Sequence, residues 1–237
     1  MNSSEGYKII HQWLEAKGFR PFLFQEETWA HISAGQSGLV NAPTGCGKTY
    51  SVFLGALIRF IDQHPDNYQH KKNSGLQLLW ITPLRALAKD IGRAMEEVLT
   101  ELRLPWKVGI RNGDTPVAER TRQKKQMPEV LIITPESLHL LLAQKGYPEA
   151  FSTLSLIAVD EWHELLGSKR GVQVELAVSR LVHCGLPRMK PPMVWGISAT
   201  IGNMDEAAEV LLSPLQQPGV TVKAEIYKQI EVQSIYP

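Results

Sequence analysis

The sequence is poor in cysteine and has no long hydrophobic run. Its two cysteines, Cys46 and Cys184, lie far apart and match no metal-ligand spacing, so we expect free thiols in a reducing compartment. No apolar stretch reaches the roughly 18 to 20 residues of a membrane-spanning helix, and the polar N-terminus lacks the apolar segment of a signal peptide. These absences predict a cytoplasmic protein with no membrane partner.

The sequence also lacks an excess of charge of either sign. Its 25 lysines and arginines against 24 acids give a formal net charge of +1 over 237 residues. A nucleic-acid contact would therefore have to rest on a local basic surface. Residues 107–125 hold six basic and two acidic side chains. That segment fits a nucleic-acid contact and a solvated helix face equally well.

Short apolar runs alternate with longer helical patterns along the chain. The runs are apolar throughout, as in strands that helices cover on both faces. They are residues 38–42, 76–82, 106–110, 129–134, 156–160, 193–198 and 220–226, and the helical patterns are 47–61, 84–102, 172–182 and 204–212. This succession predicts an α/β fold, with one doubly wound, mainly parallel sheet and helices on both of its faces.

A glycine-rich loop, APTGCGKT at residues 42–49, follows a predicted strand and opens a predicted helix. In that position the glycines let backbone N–H groups and the helix N-terminus surround phosphates. Lys48 would reach the β- and γ-phosphates of ATP, and the Thr49 hydroxyl would bind Mg²⁺. Ala42 stands where the strict pattern has glycine, although the Gly-Lys-Thr core is intact. A glycine-rich turn without a ligand is the alternative interpretation.

A second apolar run, LIAV at residues 156–159, ends in the acids Asp160 and Glu161. Open α/β sheets bind ligands at the carboxyl ends of their strands. Asp160 would hold Mg²⁺, and Glu161 would orient or deprotonate the attacking water in ATP hydrolysis. The alternative is a helix start at which acids complement the dipole. We expect Trp162 in the core, and a lone histidine such as His163 is more often a hydrogen-bonded scaffold residue.

The two motifs together resemble the first motor lobe of superfamily 2 helicases of the DExH-box type, which has a RecA-like P-loop NTPase fold. TPLRALAKD at 82–90, ITPESL at 133–138 and SAT at 198–200 match further motifs of that family in order. More narrowly, RNGDTP at 111–116, DEWHELLGSKRGVQVELAVSRL at 160–181 and WGISATIGN at 195–203 resemble the Lhr-like (large helicase-related) group. The DEWHELLGSKRG form is similar to its bacterial branch associated with a DNA ligase.

The resemblance implies ATP hydrolysis coupled to movement on single-stranded DNA with 3′-to-5′ polarity. It assigns catalysis to Glu161, Asp160, Lys48 and His163, with His163 sensing the γ-phosphate site, and coupling to Ser198, Ala199 and Thr200. Nucleotide contacts fall on Gln25, Pro43, Thr44, Gly45, Cys46, Gly47, Lys48 and Thr49, with Gln25 reading adenine and Thr49 and Asp160 holding the metal. Strand contacts fall on Thr82, Pro83, Arg85, Gly113, Asp114, Thr134, Pro135 and Glu136. Each threonine-proline pair, taken alone, is also an ordinary helix start.

The resemblance further implies that residues 1–225 form the ATP-binding domain and that 226–237 begin a connector to a second RecA-like lobe. That lobe supplies arginine fingers, so the first lobe alone should hydrolyse ATP poorly. C-terminal domains and a DNA ligase or nuclease are the other expected partners. One alternative is an RNA-directed relative, because phosphate contacts do not report the sugar. Another is a phosphotransferase or regulatory nucleotide-binding module that shares only the P-loop.

Overall fold

Seven strands form one sheet in the part of the chain that the structure, a computed structural model, describes: residues 4–183, 191–199 and 202–225. The order is β3-β4-β2-β5-β6-β1-β7, and every neighbouring pair is parallel. The strands are β1 (Gly38–Asn41), β2 (Leu78–Ile81), β3 (Val108–Arg111), β4 (Val130–Ile133), β5 (Leu156–Val159), β6 (Met193–Ser198) and β7 (Val220–Lys223). All seven predicted strands are confirmed.

The position of each strand in the sheet explains its composition. The five inner strands are buried at every residue, because helices cover both of their faces. The edge strands β3 and β7 are only partly buried and carry polar residues such as Arg111 and Lys223. The continuous apolar runs of the sequence therefore correspond to the centre of the sheet.

Helices occupy most of the connections between the strands. They are α1 (Glu5–Ala16), α2 (Leu23–Ser33), α3 (Lys48–Gln63), α4 (Arg85–Glu101), α5 (Val117–Lys125), α6 (Pro135–Leu142), α7 (Tyr147–Ala150), α8 (Trp162–Leu165), α9 (Lys169–Val182) and α10 (Met204–Leu212), with a short 3-10 helix at Ser213–Leu215. The four predicted helical patterns correspond to α3, α4, α9 and α10. The patterns do not predict α1 and α2, which precede the first strand.

Two apolar layers cover the sheet, one on each face. Along β2, Leu78 and Trp80 belong to the layer built by α1, α2, α3 and α4, whereas Leu79 and Ile81 belong to the layer built by α6, α8, α9 and α10. Successive strand residues point to opposite faces, so one apolar run supplies both layers. The predicted doubly wound arrangement is confirmed. Among the helices of the described residues, none combines the length and apolar character needed to cross a bilayer.

The basic segment 107–125 comprises β3, a loop and α5. Gln123 is the only buried residue of α5, and three cations, Arg122, Lys124 and Lys125, lie in its last turn. Cations are favourable there because they complement the helix dipole. The exposed cations of α5 are compatible with both predicted interpretations, a solvated helix face and a nucleic-acid contact. The predicted connector, residues 226–237, lies outside the described residues, as do Cys184 and Thr200.

Because all strands run in one direction, their carboxyl ends meet at one edge of the sheet. The loops that follow β1, β2, β4, β5 and β6 all begin at this edge. These loops carry the glycine-rich motif, both threonine-proline pairs and the two acids, and the serine of SAT is the last residue of β6. The topology thus brings together residues that are up to about 160 positions apart in the chain.

Candidate nucleotide-binding and strand-binding sites

The glycine-rich loop runs from the end of β1 to the first turn of α3. Gly45 and Gly47 have φ values of 80° and 74°, in the left-handed region that side chains other than glycine's disfavour. A Cβ at Gly47 would also lie 2.7 Å from Nε2 of Gln25. Within the loop Thr44 is exposed and Cys46 is buried. The backbone therefore turns tightly enough to direct N–H groups toward a bound anion.

Lys48 begins α3, and its ammonium group lies inside the site. The residue is 8% exposed, and Nζ has no hydrogen-bond partner among the described residues. Its nearest acid is Glu161, with Nζ 3.9 Å from Oε2. A buried ammonium without hydrogen bonds is costly unless a ligand accepts them. The environment of Lys48 therefore fits an anionic ligand such as a phosphate.

Asp160, directly after β5, is a buried carboxylate. It is 5% exposed; Oδ1 accepts a hydrogen bond of 3.0 Å from the Glu161 N–H, and Oδ2 accepts one of 3.4 Å from Trp80 Nε1. Burial, and next the charge of Glu161, raise the pKa of Asp160 to about 6, although Trp80 and Lys48 act in the opposite direction. Because few positive charges lie near this carboxylate, a bound cation would stabilise its charged form. This is the environment expected of a magnesium ligand.

Glu161 has a strained backbone that directs its side chain toward two partners. Its φ of 48° is unusual for a residue with a side chain, and such strain is concentrated at functional sites. Its Oε2 lies 3.9 Å from Lys48 Nζ and 3.4 Å from His163 Nδ1. Lys48, at the start of α3, and the two acids, directly after β5, therefore form one cluster.

His163 links this cluster to the loop after β6. Its Nδ1 also accepts the N–H of Ala199 at 3.4 Å. Nδ1 can donate to Glu161 only when it carries a proton and can accept from Ala199 only when it does not. His163 therefore has two alternative partners. The family resemblance connects His163 with Ser198 and Thr200, which flank Ala199. Thr200 lies outside the described residues.

Hydrogen bonds connect the SAT segment, at the end of β6, to β1 and to the first residue of the glycine-rich motif that follows it. Asn41 Nδ2 donates to the Ala199 carbonyl at 2.5 Å, and the Ala42 N–H donates to the Ser198 carbonyl at 3.1 Å. The Ser198 hydroxyl is buried and has no hydrogen-bond partner among the described residues. Any movement of the SAT segment would therefore be transmitted to the end of β1.

Gln25 contacts the glycine-rich loop from α2. Its Oε1 accepts from the Phe22 N–H at 2.9 Å, and its Nε2 donates to the Gly47 carbonyl at 3.0 Å. Beside it lies a cavity of about 210 Å³. Its lining includes Trp13, Phe19, Phe22, Tyr50, Lys17 and Glu101. The family resemblance predicts Gln25, whereas the lining residues from α1 and α4 belong to no motif and are not predicted.

The threonines predicted to contact a strand are buried. Thr82 is 0% and Thr134 is 2% exposed. Their N–H groups donate to the carbonyls of Ile133 and Arg111, at 3.0 and 3.3 Å, and so continue the sheet. The prolines that follow them, Pro83 and Pro135, are buried as well. Neither threonine presents a donor to solvent, so a strand contact here would have to pass through the helix starts that follow.

Of the other predicted strand-contact residues at the same edge of the sheet, Arg85, Gly113 and Asp114 are exposed and Glu136 is half-buried. Arg85 Nη1 lies 3.4 Å from Asp114 Oδ1. Gly113 is exposed, and a Cβ there would lie 2.8 Å from Arg85 Nη2. Glu136 accepts a hydrogen bond of 2.6 Å from Arg170, a residue that the sequence analysis does not single out. These side chains extend over the neighbouring loops that follow β2, β3 and β4.

A glycine-rich phosphate loop facing two acids across the carboxyl edge of a parallel sheet defines a P-loop NTPase lobe of the RecA-like type. The DEAD/DEAH box helicase family model matches residues 22–207. The chain belongs to this family. The matched range includes the glycine-rich loop, both acids and the SAT segment, and so favours a nucleotide site over a glycine-rich turn without a ligand and over a simple acid-rich helix start.

Proteins named Lhr are similar to most of the chain. It is 35% identical over 206 residues to the Lhr helicase/uracil glycosylase of Escherichia coli (strain K12), covering 81% of this chain and 13% of that protein. It is 31% identical over 253 residues to the ATP-dependent helicase Lhr-Core of Methanothermobacter thermautotrophicus, covering 99% and 28%. The chain therefore spans less than a third of the length of these relatives, and the predicted resemblance to the Lhr-like group is confirmed.

The fold is also shared with solved helicase structures. The Mycobacterium smegmatis helicase Lhr, solved with single-stranded DNA and AMP-PNP, aligns with a TM-score of 0.77 and 32% identity over 95% of this chain and 28% of that chain. The DEAD-box helicase Mss116 aligns with a TM-score of 0.74 at 19% identity, a likeness of fold alone. The predicted RecA-like fold is confirmed.

Proposed function

We propose that this chain is the ATP-binding motor lobe of a helicase that couples ATP hydrolysis to movement along single-stranded DNA. The observation that carries the proposal is the cluster of Lys48 with Asp160 and Glu161, in which the buried ammonium has no hydrogen-bond partner among the described residues. Family membership supports the same function. The similar Mycobacterium smegmatis helicase, solved with single-stranded DNA and AMP-PNP, supports DNA as the strand and an adenine nucleotide as the ligand.

Each residue of the cluster has a distinct role in the proposed reaction. The N–H groups of the loop and Lys48 bind the phosphates, and Thr49 and Asp160 hold Mg²⁺. When bound, the ion neutralises charge that develops on the phosphates. Glu161 orients the attacking water and accepts its proton. Gln25 and the adjoining cavity receive the adenine.

The substitution Glu161→Gln tests the catalytic assignment. It removes the proton acceptor but leaves Lys48 and the phosphate loop in place, so in the full-length protein, which includes the expected second lobe, ATP binding should persist while hydrolysis falls to background. Binding is measured with a fluorescent ATP analogue and hydrolysis by phosphate release, with and without single-stranded DNA. The matched control is Glu164→Gln, which changes an exposed carboxylate three residues away. Loss of ATP binding together with persistent hydrolysis in the Glu161→Gln protein would contradict the assignment.

The strand preference and the domain organisation have separate tests. Competition between DNA and RNA oligonucleotides of matched sequence distinguishes the two helicase alternatives. Tight nucleotide binding without any response to either strand would favour the regulatory module instead. We further propose that residues 1–225 form the ATP-binding domain, followed from residue 226 by the connector to a second RecA-like lobe. The expected ligase or nuclease partner, a cytoplasmic location and membership in the ligase-associated branch stay predictions.

A further inference from the structure

Arg170 connects three loops at the carboxyl edge of the sheet. It lies in the first turn of α9, and its Nε donates to Oε1 of Glu136 at 2.6 Å. Its Nη1 donates to the carbonyl of Pro83 at 3.2 Å. Glu136 is in the first turn of α6, and Pro83 lies between β2 and α4. One guanidinium therefore joins the segment after the two acids to both segments that carry a threonine-proline pair.

The location of Arg170 is unfavourable for the helix that carries it. A cation near a helix N-terminus opposes the helix dipole, and the first turn of α9 contains Lys169 and Arg170 but no acid. A residue that breaks a local rule is often retained for a function rather than for the stability of its own element. The two hydrogen bonds that offset this unfavourable interaction with the helix dipole both join Arg170 to the predicted strand-binding loops.

The contacts of Arg170 contribute orientation more than stability. The side chains of Arg170 and Glu136 are 45% and 43% exposed, and ion pairs at that exposure add little to folding. Burial would raise the pKa of Glu136, but its own backbone N–H and Arg170 outweigh this effect and lower it. The planar guanidinium contacts a carboxylate and a carbonyl at the same time, which a lysine ammonium on its flexible stem cannot reproduce with the same geometry.

A short series of contacts leads from Glu161 to Arg170. Glu161 precedes α8, whose Trp162 is buried and donates Nε1 to the Ala207 carbonyl at 2.8 Å. The first turn of α9 lies against the end of α8, because a Cβ on Gly171 would overlap the carbonyl oxygen of Leu165. A displacement of Glu161 and α8 would therefore move Arg170, and with it the loops that contain Pro83 and Glu136.

We propose that Arg170 is a positioning residue that makes the grip on the strand depend on the state of the nucleotide site. This inference rests on the proposed function, since it assumes that the loops of Pro83 and Glu136 hold a strand. It adds a physical connection through which the segment after Glu161 sets the spacing of those loops. Arg170 itself need not contact the strand or the nucleotide.

The test compares strand binding by the unsubstituted protein and three variants. Arg170→Lys keeps the charge but not the paired contacts, Arg170→Gln removes both, and Lys169→Gln removes one charge from the same exposed helix end. The affinity for a fluorescent single-stranded DNA is measured with and without AMP-PNP, and thermal unfolding is followed in parallel. We expect both Arg170 variants to bind the strand about ten-fold more weakly with AMP-PNP and to lose most of their nucleotide dependence. Lys169→Gln should keep that dependence, and all melting temperatures should stay close together.

Each other outcome has a definite meaning. If Arg170→Lys binds the strand with the affinity and nucleotide dependence of the unsubstituted protein, the inference is overturned while the proposed function stands. If Lys169→Gln has the same effect as Arg170→Gln, general electrostatic attraction accounts for the result and the inference is overturned. If the unsubstituted protein binds no strand, the proposed function fails and the inference fails with it.

Discussion

Replacing Asp160 by asparagine should stabilise the protein at neutral pH in the absence of nucleotide and metal. The carboxylate is 5% exposed, and its pKa is raised from an ordinary 3.8 to about 6, first by burial and next by Glu161. Because the folded state holds this proton more tightly than the unfolded state, folding loses stability as the pH rises from about 4 to about 6. Above that range the loss is complete. Asparagine has a similar shape and does not ionise, so it avoids the loss.

The size of the effect follows from the pKa shift. A change from 3.8 to about 6 corresponds to about 3 kcal/mol between the two limits of pH. Between pH values of about 4.5 and 7.5 the unsubstituted protein should lose about 2 kcal/mol relative to Asp160→Asn. The comparison across pH removes the constant difference that the asparagine amide group introduces. It also cancels every group that titrates equally in both proteins.

Urea unfolding in the presence of EDTA measures this difference at a series of pH values. The matched control is Asp90→Asn, which replaces an exposed aspartate on α4 and should show a difference that does not vary with pH. A difference for Asp160→Asn that is constant across the range, or that shrinks as the pH rises, would refute the reasoning. In that case the carboxylate would have to be solvated or paired in a way that the structure does not show.

Two further substitutions test the packing around the site. Gly47→Ala forces a side chain into a backbone with φ 74° and places it 2.7 Å from Gln25 Nε2, so we expect it to weaken nucleotide binding and lower the melting temperature more than Gly18→Ala, at φ 77° with no atom within 4 Å. Equal effects of the two would show that the contact with Gln25 is unimportant. Trp162→Phe removes the hydrogen bond to the Ala207 carbonyl inside the core and should lower the free energy of unfolding by about 1–3 kcal/mol. A urea midpoint equal to that of the unsubstituted protein would contradict this.

The strands were predictable because of their surroundings. Helices cover both faces of the inner strands, so each strand must be apolar at consecutive positions, and such runs are visible in the sequence. The strand ends differ by up to three residues from the predicted ones, since hydrogen bonding to neighbours, and not hydrophobicity, determines where a strand stops. Helix α2 was not predictable in this way: its buried residues include Gln25 and Thr28, while Leu23 is 84% exposed, so it shows no clear apolar stripe.

The chemistry of the site was also readable, but its contacts were not. Lys48 and Glu161 belong to motifs whose residue types indicate the roles proposed for them, although the motifs lie more than 100 residues apart. Thr82 and Thr134 are buried by residues that are close to them in the fold but distant in the sequence. The position of Arg170 has a weak signal in the sequence, a cation at the start of a helix, but its partners Pro83 and Glu136 are set by the sheet order.

Patterns among neighbouring residues are enough to predict a parallel α/β lobe, a phosphate loop and a pair of acids. Which of these groups meet, how deeply Asp160 is buried and which loops Arg170 connects depend on the three-dimensional fold. This is because the order of parallel strands follows from how the crossover helices pack on the two faces of the sheet. That order places distant loops side by side, and it leaves no local pattern in the sequence.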